Sequence, residues 1–298
     1  MKRYLPIIAF VFSFQLSAQT YILNEDFSSA SEATPPSNWT NTTVTGGAAD
    51  LWRFDNLGQR TVEFPFVGKF SIFDGQTQSN NGSPEEVSLE TPFLDCSSNA
   101  DILLIFDHVF VGDNGGQGEI EVWDGAAWNL VETYSTNSSG IENIKLNISA
   151  YAGNNAASKV RFVWSGNNSM YWALDNVQVY APLALDAALE KIDNPNMPFG
   201  AGNQDIQFTL TNFGANTLTS ATINWSVGGV SQTAYEWTGN LAIGESLENI
   251  TIGSFNFAEG RVNEVVVTVA SPNGDQDLNS QNNSVTSNLT ASLCGTYT

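Results

Sequence analysis

The sequence predicts an all-β protein made of two successive sandwiches. Three observations carry that reading. Apolar and polar residues alternate with a period of two in short runs. Clusters of Gly, Asn, Ser and Asp separate those runs. The i, i+3, i+4 spacing of an amphipathic helix is almost absent, so regular short strands with turn signals between them remain.

The chain of 298 residues opens with "MKRYLPIIAFVFSFQLSAQT", in which Lys2 and Arg3 precede an apolar run and then Ser17-Ala18-Gln19. That order is the layout of a secretory signal peptide over residues 1–19, too short to span a membrane stably. Nothing later forms a long unbroken apolar stretch, so the expected location is secreted or cell surface, without membrane insertion.

Strand candidates then follow in order. The first half, residues 20–181, holds runs at 102–111, 119–124, 128–134, 141–149, 159–166 and 171–180. A new alternation begins after "APLALDAAL", and residues 182–292 hold runs at 205–212, 220–227, 230–237, 248–255 and 262–270. In this second half Ile206, Phe208 and Leu210 share one face, as do Ala221, Ile223, Trp225 and Val227. Gly228-Gly229 supplies the positive φ angles of a two-residue hairpin before Val230. The result is a sandwich of immunoglobulin size. Residues 293–298 read as the opening of a further segment.

Charge narrows the partners. The chain carries 31 Asp and Glu against 10 Lys and Arg, a net −21. Such a surface repels phosphate backbones and argues against nucleic acid. It suits divalent cations or neutral ligands such as glycans, or simply keeps an exported protein soluble. Cys96 and Cys294 lie in different halves, and nothing in the sequence pairs them.

Four stretches of the first half, "ILNEDFSS" with "PPSNW" after it, "SLETPFLDCS", "GEIEVWDGAAWNLV" and "YWALDNVQVY", appear in an order that resembles the cleaved adhesin, or choice-of-anchor J, domains. These are MAM-like, concanavalin-like jelly-roll sandwiches of secreted Bacteroidetes-type proteins. The second half, with "LTNFGANTLTSATINWSV", "LAIGESLENITI" and "DLNSQNNSVT", resembles the CARDB-type immunoglobulin-like modules. The resemblance implies a non-catalytic extracellular adhesion protein that recognises glycan or protein ligands, commonly exported by a type IX system. The alternative is an accessory region of a larger secreted peptidase or polysaccharide-degrading enzyme. Oligomeric state is not legible.

The resemblance also implies a structural calcium, held by Glu25 of "NEDF" and Asp175 of "ALDNV". Calcium takes six to eight oxygen ligands at about 2.3–2.6 Å, which carboxylates from distant strands can supply. A carboxylate inside an apolar strand either faces water or holds something, because burying it unpartnered is costly. Asp55, Asp74 and Asp107 are further candidate ligands.

Other chemistry is mostly excluded. The single histidine, His108, alternates with Phe106 and Phe110 and reads as a core residue; without a second His or a nearby Cys it makes no zinc site. No nucleophile-elbow pattern accompanies it. Glu119 and Glu121 share a strand face, as a two-carboxylate glycosidase would need. Asp124-Gly125 directly after fits a hairpin turn better. "NGDQDLNSQNN" (273–283) opens like a calcium loop but carries Ser280 and Thr286 where Gly and Glu are required, and reads as a solvated turn. Of the tryptophans at 39, 52, 123, 128, 164 and 172, most should fill the core, with Trp128 the one expected at the surface.

Overall fold

The computed structural model describes residues 20–63, 65–78 and 83–292. The expected leader, Cys294 and segment 293–298 lie outside the described residues. The chain is all-β, a jelly-roll sandwich followed by an immunoglobulin-like one.

Strands of the first sandwich are β1 (Thr20–Glu25), β2 (Thr40–Thr45), β3 (Ser71–Asp74), β4 (Glu85–Glu90), β5 (Leu103–Val111), β6 (Gln117–Trp123), β7 (Trp128–Tyr134), β8 (Glu142–Asn147), β9 (Lys159–Gly166) and β10 (Tyr171–Ala181). One sheet runs β1-β10-β5-β8, with β3 also on β10; the other runs β2-β4-β9-β6-β7. Every pairing in both sheets is antiparallel.

Between the sheets lies an aromatic core that includes Trp52, Trp164, Trp172, Phe106, Phe110 and Phe162, all fully buried. Burying side chains of this size contributes about 1.5–3 kcal/mol each. Ring pairs such as Phe106–Phe162 at 5.2 Å and Phe110–Trp164 at 5.7 Å add edge and tilted contacts on top.

His108 belongs to this core, as its phase with Phe106 and Phe110 predicts. Its Nδ1 accepts a hydrogen bond from the Trp172 indole at 3.2 Å, and its Nε2 lies 3.3 Å from Glu142. The polar ring is therefore satisfied by side chains on both nitrogens. Burial lowers its pKa, with Glu142 opposing.

The second sandwich contains β11 (Ala187–Asn194), β12 (Phe199–Gly200), β13 (Gly202–Asn212), β14 (Leu218–Val227), β15 (Val230–Ser231), β16 (Tyr235–Leu241), β17 (Ser246–Phe257), β18 (Val262–Ala270) and β19 (Ser284–Ser292). Sheet β11-β13-β17 faces sheet β12-β19-β18-β14-β15, to which β16 adds through β14. The faces predicted from alternation, Ile206/Phe208/Leu210 and Ala221/Ile223/Trp225/Val227, both line its core. Gly228 and Gly229 have φ of 57° and 79°, and Val227 pairs with Val230 across them. The run 230–237 is two strands, not one, broken at Gln232–Ala234.

A small apolar seam joins the two sandwiches. Leu103, Ile105 and Tyr180 of the first pack with Ile243 of the second, and Phe213 lies against them. Beside it Lys145 and Glu190 form an ion pair at 2.7 Å.

Candidate functional site

Along β9, Val160, Phe162 and Trp164 point into the core, so Lys159, Arg161, Val163 and Ser165 point outward. Register decides what flanks them. Glu90 of β4 and Glu121 of β6 stand on either side of Arg161, and Trp123 stands beside Lys159. Trp128 lies opposite Trp123 across the β6–β7 hairpin.

That hairpin is shaped by its turn. Gly125 has φ 98°, and the Asp124 carboxylate accepts hydrogen bonds from the backbone N–H groups of Ala126 and Ala127, both at 2.8 Å. The carboxyl of Asp124 is held below the usual range by those bonds, first Ala127, then Ala126.

Phe93 follows β4 and is 66% exposed. With Trp123, Trp128, Glu90 and Lys159 it lines an open cleft of about 230 Å³. The two indoles sit 5.6 Å apart at 58°. Lys159 Nζ lies 4.6 Å from the centre of the Phe93 ring and 3.3 Å from Glu90 Oε2. The Arg161 guanidinium lies 4.3 Å from the Trp128 ring centre, and its Nε donates to Glu121. Cations over ring faces restrain the rings, each contact worth about 0.5–1 kcal/mol at an exposed site.

Such a cleft is smaller than the roughly 300–1,000 Å³ of sites that engulf a ligand. It can receive one ring of a longer molecule, the remainder lying along the sheet. Trp128 is at the surface as predicted; Trp123 and Phe93 were not singled out from sequence. Trp39, Trp52, Trp164 and Trp172 are buried.

The carboxylates expected to share a calcium are not brought together. Glu25 pairs with Val177, a residue of the inner core, so its side chain lies on the inner face. There it accepts the Phe27 N–H at 2.7 Å and the Trp39 indole, and burial raises its pKa. Asp175 pairs with Asp107 on the opposite face of the same sheet. A bulge between them, with Asn176 at φ 52°, switches which residues of β10 point inward.

Asp175 is 2% exposed and accepts the N–H groups of Asn176, at 2.8 Å, and Val67. Burial, with the charges of Asp107 and Asp26 adding, pushes its pKa up to about 7. Asp107 accepts the side-chain amides of Asn143 at 2.7 Å and Asn176 at 2.8 Å. Asp55 is engaged by Arg53, and Asp74 by Arg60. Among the described residues, no three His, Cys, Asp or Glu side chains are placed to hold one metal ion. The donor set does not fit a calcium shared by Glu25 and Asp175.

The 273–283 segment is also more than a solvated turn. Buried Asp186 accepts the amides of Asn279 at 3.1 Å and Asn282 at 2.8 Å, while Asp277 accepts the Ala187 N–H at 3.0 Å. Burial raises the pKa of both carboxyls. The Asn-rich loop thus clasps the start of β11. Glu119 and Glu121 do share the outer face of β6, but Glu121 is bound to Arg161 and Glu119 to Gln117.

These features define a tandem β-sandwich protein with an aromatic cleft on an outer sheet face. No protein-family model matches the chain, and no curated protein does. Similar solved structures include the K3 cleaved adhesin domain of Lys-gingipain from Porphyromonas gingivalis, at 12% identity and TM-score 0.42, covering 54% of this chain and 100% of that one. The CARDB domain of a Pyrococcus furiosus protein is similar at 20% identity and TM-score 0.30, over 36% of this chain and 88% of that one. Carbohydrate-binding module CBM27-1 of Caldicellulosiruptor saccharolyticus, solved with mannohexaose, matches at 15% identity and TM-score 0.35, over 52% and 94%.

Proposed function

We propose that the chain is a non-catalytic extracellular binding protein whose first sandwich recognises glycan through the cleft of Phe93, Trp123 and Trp128, with the second sandwich as a spacer. The supporting observation is this cluster of aromatic rings at the surface of a fold that buries its other tryptophans. A pyranose ring has an apolar C–H face and a rim of hydroxyls. Ring faces with a negative quadrupole match the first, and the Glu and Lys groups beside them match the second. The acidic pair that hydrolysis would need is already committed to Arg161 and Gln117.

The test is a glycan array followed by calorimetry on the best binder, comparing wild type with Trp123→Ala and Trp128→Ala. Each substitution should weaken binding about tenfold, the worth of one aromatic contact of about 1.4 kcal/mol, with little change in melting temperature. Wild-type affinity retained by both variants would remove the cleft from the account.

A further inference from the structure

The cleft is bordered by charge, and that charge is arranged in pairs. Among the described residues, two cationic side chains, Lys159 and Arg161, stand on this face. Neither is free to meet an anion. Lys159 is 3.3 Å from Glu90, and Arg161 is bound to Glu121; each also covers an aromatic ring. One row further along the sheet stands Glu119, whose partner is the neutral amide of Gln117 at 2.8 Å. The row is therefore compensated within itself, and its nearest neighbour adds an unmatched negative charge. The whole chain adds a field of the same sign, at net −21.

Resting on the glycan-binding reading above, we propose that the ligand is a neutral polysaccharide and that the Glu90–Lys159 and Glu121–Arg161 pairs exclude its acidic counterparts. A uronate or sulfate carried onto this face meets carboxylates that have already taken the available cations. A neutral sugar meets the same groups as hydrogen-bond donors and acceptors and loses nothing to repulsion. The pairs also fix the long side chains, so less conformational freedom is lost when a ligand arrives.

The experiment measures binding of the full chain to β-1,4-linked hexasaccharides of glucose, mannose and galactose, each beside the same sugar oxidised at C6 to its uronate. For any neutral sugar that binds, the uronate should bind at least about fivefold more weakly at low salt, the effect of one unit charge at about 4 Å in a water-like medium. That gap should narrow at high salt. In the double variant Glu90→Gln, Glu121→Gln the cations are released, and the ratio of uronate to neutral affinity should rise about fivefold or more. Uronates bound as tightly as their neutral partners by the wild type, or a ratio unmoved in the double variant, would overturn the proposal while leaving glycan binding intact. Failure to bind any saccharide of either kind would overturn the glycan reading itself, and this proposal with it.

Discussion

Replacing Asp175 by Asn should stabilise the protein at pH 8 and leave it almost unchanged at pH 4. Asp175 is 2% exposed and lies across the ladder from Asp107. Burial first, then the neighbouring charges, raises its pKa to about 7, against about 3.9 for a free aspartate. A carboxyl with a raised folded pKa binds its proton more tightly in the native state. Its contribution to stability is full below about pH 4 and is lost as pH climbs toward 7, since the unfolded chain then ionises freely and the native one must ionise a buried group. At about 1.4 kcal/mol per pH unit the ceiling is about 4 kcal/mol. Water reaching the carboxyl would reduce this toward about 1–2 kcal/mol, within the ordinary range of single substitutions. Asn keeps an acceptor oxygen for the Asn176 N–H group while removing the charge. Urea unfolding followed by tryptophan fluorescence at pH 4, 6 and 8 measures the difference. A variant destabilised equally at all three pH values would refute the reasoning, because the side chain would then matter for shape or bonding and not for its buried charge.

Other perturbations test other parts of the structure. His108→Phe should cost about 1–3 kcal/mol by leaving the buried Trp172 indole without its acceptor. His108 itself has a folded pKa lowered by burial, so the stability it confers is present above about pH 6.5 and is lost as pH falls below that. The wild type should lose more stability than the Phe variant between pH 6.5 and 5, as chemical denaturation can show. Chelation should leave the melting temperature within about 1 °C, because Glu25 and Asp175 lie on opposite faces of their sheet. A calcium-dependent rise of several degrees would restore the shared site.

Period-two alternation made much of the fold legible, because an inward residue fixes the direction of its neighbours. In "EIEVWDGAAW", Ile120 and Val122 are apolar and point inward, which already sends Glu119, Glu121 and Trp123 outward. Trp123 could therefore have been assigned to the surface from its phase alone, where its size argued for the core. Phe93 is similar, standing between Pro92 and the buried Leu94. The strands without apolar alternation were not legible: β2 reads "TNTTVT" and lies at a sheet edge, and β4 begins with Glu85-Glu86.

Glu25 and Asp175 stand apart for a related physical reason. In "YWALDNVQVY" the core residues are Trp172 and Leu174, then Val177 and Val179, so the inward phase changes from even to odd numbers. The change requires one extra residue, and it falls at Asn176, a type that tolerates the left-handed region. Asp175 comes before the bulge and shares the outer phase of Ala173; Glu25 lies opposite Val177, beyond it, on the inner phase. A motif transferred by residue type keeps the carboxylates but not their phase, and phase determines whether two acids can reach one ion. The residue that separates them also donates its amide to Asp107 at 2.8 Å. The bulge thus gives the buried acids of the outer face a hydrogen-bond partner in the place where a cation was expected.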